Sequence, residues 1–110
     1  MKDVSIIYKI EKNSVSEDEL PYVYKSLDKA IKYCNDNSND KNAYFTRPSY
    51  LDETNYSEEN PNVYIVAVVD SNYEVSFPII YCDLELANKY VEEHPLTDAF
   101  YLIKPSVLIK

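Results

Sequence analysis

Apolar residues recur along this chain with two periods, and the change from one to the other marks out strands and helices. Between Val4 and Glu11, the residues Val4, Ile6, Tyr8 and Ile10 share one face of an extended segment. That alternation predicts a strand with one buried side. Tyr22-Val23-Tyr24 predicts a second strand. Leu27, Ala30, Ile31 and Cys34 then fall at spacings of three, four and seven, a helical stripe that Ser26 is placed to cap. Ala43-Tyr44-Phe45 predicts a third strand.

The later half reads the same way. Val63 to Val69 is apolar at both alternating sets of positions, which suits a central strand covered on both sides. Asp70-Ser71-Asn72 predicts a hairpin turn. Tyr73, Val75 and Phe77 alternate with Glu74 and Ser76, and the strand continues or bends at Pro78 into Ile79-Ile80-Tyr81. Asp83 caps a second helix, with Glu85 in its first turn and Leu84, Ala87 and Val91 on its apolar stripe. Pro95 disfavours helical geometry in the residue before it, so the helix should end near His94. Ala99 to Ile103 predicts a last strand, stopped by Pro105.

The two halves read alike because the sequence recurs. Pro21 to Cys34 returns as Pro78 to Val91, 57 positions later, with six of fourteen positions identical. Pro48, Ser49 and Leu51 match Pro105, Ser106 and Leu108 at the same offset. The expected fold is α+β: a tandem ββαβ repeat forming one pseudo-twofold domain over 1–110, with a mainly antiparallel sheet and two helices on one face. The first unit is 1–51, the second 62–110, and the acidic stretch 52–61 is a linker. A ferredoxin-like arrangement with extra strands is the alternative. Two helices cannot cover one whole face of a six-stranded sheet. The uncovered surface must be closed by curvature, covered by a second copy, or left for a partner.

Composition narrows the functions. The chain has 110 residues and no glycine, whereas phosphate-cradling loops, dinucleotide fingerprints, nucleophile elbows and EF-hand loops all need one. Net charge is −8. Residues 1–57 carry ten acids and eight bases, and residues 58–110 carry nine and three. Such a field repels phosphate backbones and attracts basic protein surfaces, so direct nucleic-acid binding is not expected. The apolar run Val63 to Val69 is far shorter than the ~20 residues of a membrane span, and the N-terminus lacks signal-peptide features. A cytoplasmic location is expected, that of the host cell if the chain is phage-encoded.

Candidate chemistry is sparse. Cys82 precedes a helix N-terminus, a place that favours thiolates, but His94 lies twelve residues along the same helix. At 1.5 Å per residue that separation is roughly 18 Å, too far for a nucleophile-base pair. Cys34 lies on an apolar stripe. Glu92-Glu93-His94 are adjacent and fan around the helix instead of sharing a face. No metal, no cofactor and no enzymatic activity is expected. Tyrosine is abundant, at 12 residues against three Phe and no Trp, and amphipathic rings are favoured at interfaces. Tyr50, Tyr56, Tyr64, Tyr73 and Tyr101 stand close in sequence to acids. The candidate partner-binding residues are Asp52, Glu53, Tyr56, Glu58, Glu59, Tyr64, Glu92, Glu93 and Asp98.

A short, acidic, glycine-free chain rich in Asn, Tyr, Lys and Ile resembles the small proteins that bacteriophages make to inhibit host or defence proteins, including anti-CRISPR and other anti-defence factors and DNA mimics. The resemblance lies in overall character and not in a motif. It implies a non-enzymatic inhibitor whose acidic, tyrosine-rich surface blocks a basic, nucleic-acid-handling host or defence protein. One alternative is a self-associating scaffold or regulatory subunit, a homodimer paired through an open sheet face. Another is a small-ligand sink in the cleft between repeats, where only Lys32/Lys89, Tyr24/Tyr81 and Tyr33/Tyr90 are shared polar pairs.

Overall fold

The computed structural model describes residues 2–11 and 17–110. The elements are β1 (Lys2–Glu11), β2 (Glu17–Tyr24), α1 (Leu27–Asn37), β3 (Asn42–Asp52), β4 (Asn62–Asp70), β5 (Val75–Tyr81), α2 (Leu84–Glu93) and β6 (Ala99–Ile109). The protein is α+β, and its six-stranded mixed sheet closes into a barrel in the order β1-β2-β6-β4-β5-β3. Strand β1 is antiparallel to both β2 and β3, and β4 is antiparallel to both β5 and β6. Two parallel ladders close the ring. In one, Tyr22, Val23 and Tyr24 face Val107, Leu108 and Ile109; in the other, Leu51 and Asp52 face Ile80 and Tyr81.

The sheet is mainly antiparallel, as expected from the sequence, the two short parallel ladders make it a mixed one, and it is not the open sheet of a ferredoxin-like fold. Of the three ways to close the uncovered face, curvature is the one adopted. The former open face is the barrel interior, filled by Val4, Ile6, Val23, Leu51, Val63, Ile65, Ala67, Phe77, Ile80 and Leu108. A barrel this small has no room inside for more than its own side chains. Tyr8 and Ile10, expected beside Val4 and Ile6, have side chains outside the described residues.

Both helices pack on the outside of the barrel. Ala30 and Cys34 of α1 bury Ile7, flanked by Tyr24, Tyr33 and Tyr44. Ala87 of α2 is buried with Val66 and Ile79, flanked by Tyr64, Tyr81, Tyr90, Val91, Tyr101 and Ile103. Small Ala side chains let each helix approach the sheet closely, and tyrosine rings fill the margins. This explains the apolar pattern of Val63 to Val69, which is covered by the interior on one side and α2 on the other. Ser26 Oγ accepts from Lys29 N at 3.3 Å and Asp83 Oδ1 from Glu85 N at 2.8 Å, so both predicted caps form. The N-terminal members of the two stripes, Leu27 and Leu84, remain exposed at 55% and 44%. Neither helix is long and apolar enough to cross a membrane.

One expectation fails at a proline: Pro105 does not stop the last strand, and β6 runs through it to Ile109, as β3 runs through Pro48 to Asp52. Proline lacks a donor, so it fits a strand where its nitrogen faces no ladder partner. Each parallel ladder is confined to the residues beyond the proline, which leaves that side open. Side chains bridge the gap at Pro48: Ser49 Oγ donates to Phe77 O at 2.9 Å and Arg47 Nη1 to Val75 O at 3.2 Å. The corresponding Ser106 Oγ, at the other seam, is buried with no hydrogen-bond partner.

That contrast separates two otherwise equal substitutions. Ser49→Ala is expected to cost about 1 kcal/mol, because a buried hydrogen bond is lost and Phe77 O loses a donor. Ser106→Ala is expected to be neutral or slightly stabilising, since it removes an unpaired buried hydroxyl. Urea unfolding of both variants checks this, and equal losses would refute the assignment.

Candidate functional site

Four of the nine predicted contact residues, Glu53, Tyr56, Glu58 and Glu59, lie in the connection 53–61, and the structure separates them from a second acidic region at Asp52 and the end of α2. In the first part Tyr56 turns inward and packs against the interior cluster. Two lysines flank its ring: Lys25 Nζ lies 4.3 Å from the centroid and Lys110 Nζ 5.5 Å. The same lysines reach the neighbouring carboxylates, Lys25 with Glu53 and Lys110 with Glu58, each at 3.8 Å. A hydrogen bond to Tyr56, with help from the Glu58 charge, raises the Lys110 ammonium. Glu53, Tyr56 and Glu58 are thus partnered within the chain, whereas Glu59 stays exposed at the Ser57 turn.

The second part is concave. Asp52, the last residue of β3, stands opposite Tyr81 across the parallel ladder. Together with Thr54, Leu86, Lys89, Tyr90, Glu93 and His94 they line a cavity of about 210 Å³ between the end of β3 and α2. Tyr81 and Tyr90 pack with ring centroids 6.1 Å apart, and Tyr90 stacks on His94 at 4.2 Å. The helix end is fixed from below by Tyr101, whose hydroxyl donates to His94 O at 2.6 Å. Lys89 and Glu93 pair at 3.8 Å on the rim.

Electrostatics in this cavity are dominated by carboxylates. Thr54 donates to Asp52 from its side chain and its amide, holding the Asp52 carboxyl below its ordinary range. Burial pushes the Tyr81 hydroxyl up, and the fields of Asp52, Tyr90 and Glu93 push it further. Cys82, adjacent to the cavity, is raised by burial first and then by Glu53 and Asp52. Its position before a helix does not produce a thiolate. The thiol donates weakly to Asp52 O at 3.7 Å and packs against the interior cluster.

Asp52 and Glu93, 41 positions apart, are the predicted residues that the fold brings into one concave site. Tyr64 packs under α2 on the outer face of β4 and is only half-exposed. Glu92 is exposed on the last turn of α2, and Asp98 is exposed with φ of 60° just before β6. Thr54 and Leu86 carried no signal in the sequence, because the loop that holds one and the helix face that holds the other have no motif. Tyr81, Lys89 and Tyr90 were visible only as shared positions of the recurring segment. No protein-family model, curated protein or solved structure matches the chain.

Because the Asp52 carboxyl lies below its ordinary value, 3.8, its bonds to Thr54 contribute fully above that pH and are lost as pH falls through the folded-state value. Asp52→Asn should therefore flatten the acid limb of the stability curve below about pH 4. Urea midpoints measured across that range test this; an unchanged slope in the variant would count against the Thr54 contacts.

Proposed function

We propose that the chain is a non-enzymatic binding protein whose acidic surface docks on a basic, nucleic-acid-handling host or defence protein and blocks it. The observation that carries this reading is the placement of the acids in the second half. Glu59, Glu74, Glu85, Glu92 and Asp98 are all exposed, and Glu93 is exposed beside Lys89, so the net negative field is available to a partner and steers its approach. Glu92 and Glu93 also occupy the last turn of α2, which holds no base. Carboxylates there oppose the helix dipole at about 0.3–1 kcal/mol each, a cost that fold stability alone does not explain.

We further infer that the scaffold is a duplication of one ββαβ unit. Support comes from register: Val23 opposite Leu108 becomes Ile80 opposite Leu51 when both are moved by the sequence offset, and the cyclic strand order maps onto itself. On this reading the halves share their fold-making residues and differ in charge. The closed form of the described sheet lends no support to the alternative, pairing of copies through an open sheet face.

Affinity capture from a bacterial lysate tests the electrostatic mechanism. Retained proteins should be lost between roughly 0.1 and 1 M salt, where the Debye length falls from ~10 to ~3 Å. They should also be lost when Glu92, Glu93 and Asp98 are each changed to Lys. Retention indifferent to both treatments sinks the proposal. Glu92→Gln alone should weaken retention while raising the thermal midpoint by about 1–3 °C.

A further inference from the structure

The cavity between the end of β3 and α2 has a composition that selects for a cation. Asp52 contributes a carboxylate from one wall and Glu93 one from the other, while Tyr81 and Tyr90 present rings between them. Both carboxylates act on the same Tyr81 hydroxyl, so their fields converge inside the cavity. Lys89 offsets one of them from the rim, 67% exposed and 3.8 Å from Glu93. The balance left is negative, and the interior is lined by aromatic faces. A planar guanidinium satisfies both features, because it forms directional hydrogen bonds to carboxylates and stacks on rings. An anion would meet two carboxylates.

The first half of the chain offers a comparison. At the offset of the recurring segment, Lys29 of α1 corresponds to Leu86 of α2 and Ile109 to Asp52. Lys29 Nζ donates to the carbonyl of Lys110 at 2.9 Å. The end of that barrel seam is therefore occupied by the chain's own ammonium. In the second half the corresponding helix position is apolar Leu86 and the acid Asp52 stands where the first half has Ile109, so this seam end has a carboxylate and no ammonium at the helix position that supplies one in the first half.

We propose that this cavity is a receptor for one arginine side chain, the anchoring contact through which a basic partner protein is held. The inference rests on the reading of the chain as a binder of basic surfaces, and names the residue chemistry that this surface receives. Asp52 and Glu93 accept hydrogen bonds from the guanidinium, and Tyr81 and Tyr90 hold its plane. Thr54 keeps the Asp52 carboxylate ionised and oriented through its bond at 2.9 Å.

The test is a titration of the full chain with N-acetyl-arginine amide, followed by amide and ring nuclear magnetic resonance shifts. N-acetyl-citrulline amide, which has the same shape without the charge, is the control. Saturable shifts centred on Thr54, Tyr81, Tyr90 and Glu93 are expected with the arginine compound, with a dissociation constant on the order of millimolar for a single side chain. Leu86→Lys, which supplies an internal ammonium at a half-exposed helix position, should weaken the response about tenfold or more. Glu93→Gln, at an exposed site that does not support the fold, should do likewise. Equal responses to arginine and citrulline, or an arginine response untouched by both variants, overturn the inference. Its failure is distinguishable from that of the wider reading. Lysate proteins retained by wild type and by Leu86→Lys alike, but lost on charge reversal of Glu92 and Asp98, would remove the arginine receptor and leave the acidic docking surface. An arginine response without any salt-sensitive capture would do the reverse.

Discussion

Closure of the barrel depends on two short parallel seams, and most of the molecule is arranged to make them possible. Each three-stranded half forms by antiparallel pairing about a central strand, β1 or β4, and would expose its inner face if it stood alone. The seams remove that face from water by pairing Val23 with Leu108 and Leu51 with Ile80, all buried. Strands β2 and β3 both run antiparallel to β1, so they point the same way and cannot be joined by a tight turn; α1 carries the chain from one to the other past β1, and α2 does the same from β5 to β6 past β4. The caps at Ser26 and Asp83 start these helices directly after β2 and β5. Each helix thereby delivers the next strand to the far edge of its own half, where it meets the other half at a seam, so the apolar stripe serves to aim that strand as well as to cover the sheet.

How much of this the sequence announces depends on the range of the interaction. Local periods place the elements well: the caps, the helix end at His94 and the doubly covered strand at Val63 to Val69 are all legible from neighbours in sequence. Closure is not, because Val23 and Leu108 are 85 positions apart and nothing near either residue reports the other. Pro105 misleads for a related reason. It reads as a strand end when only local donors are considered, yet it stands where a ladder partner is missing on one side. At Pro48, its equivalent in β3, the side chains of Arg47 and Ser49 take over part of the bonding.

The same geometry explains why the candidate site was only half visible. Leu51 points into the barrel, so Asp52, its neighbour, must point out. The parallel ladder sets Asp52 beside Tyr81, and the crossover helix that follows Tyr81 brings Glu93 round to the opposite wall. Acids and tyrosines could be nominated from composition, but which of them share a cavity follows from seam register. The internal partners of Glu53 and Glu58 were hidden for the same reason: Lys25 and Lys110 reach the connection only because β2 and β6 are adjacent. A count of charges along the chain overstates the free acid there.

The backbone of a glycine-free chain carries a further argument about which surface is used. Asn55, Tyr73 and Asp98 adopt φ near +60°, a conformation that Asn and Asp tolerate and that an aromatic residue resists. At Asn55 the geometry has a local reason, since its side-chain amide donates to Asp83 Oδ2 at 2.9 Å and ties the connection to the cap of α2. At Tyr73 the reason is the turn: Tyr73 N donates to Asp70 O and Asp70 N to Glu74 O, each at 3.0 Å, a three-residue hairpin loop whose last position is left-handed, and here that position holds an aromatic ring left 83% exposed. An exposed aromatic in a strained position, like carboxylates at the negative end of α2, is unfavourable for the isolated fold. Such costs cluster where a surface serves something other than its own stability. Here they fall in the second half of the chain, the half that also holds the excess of acid.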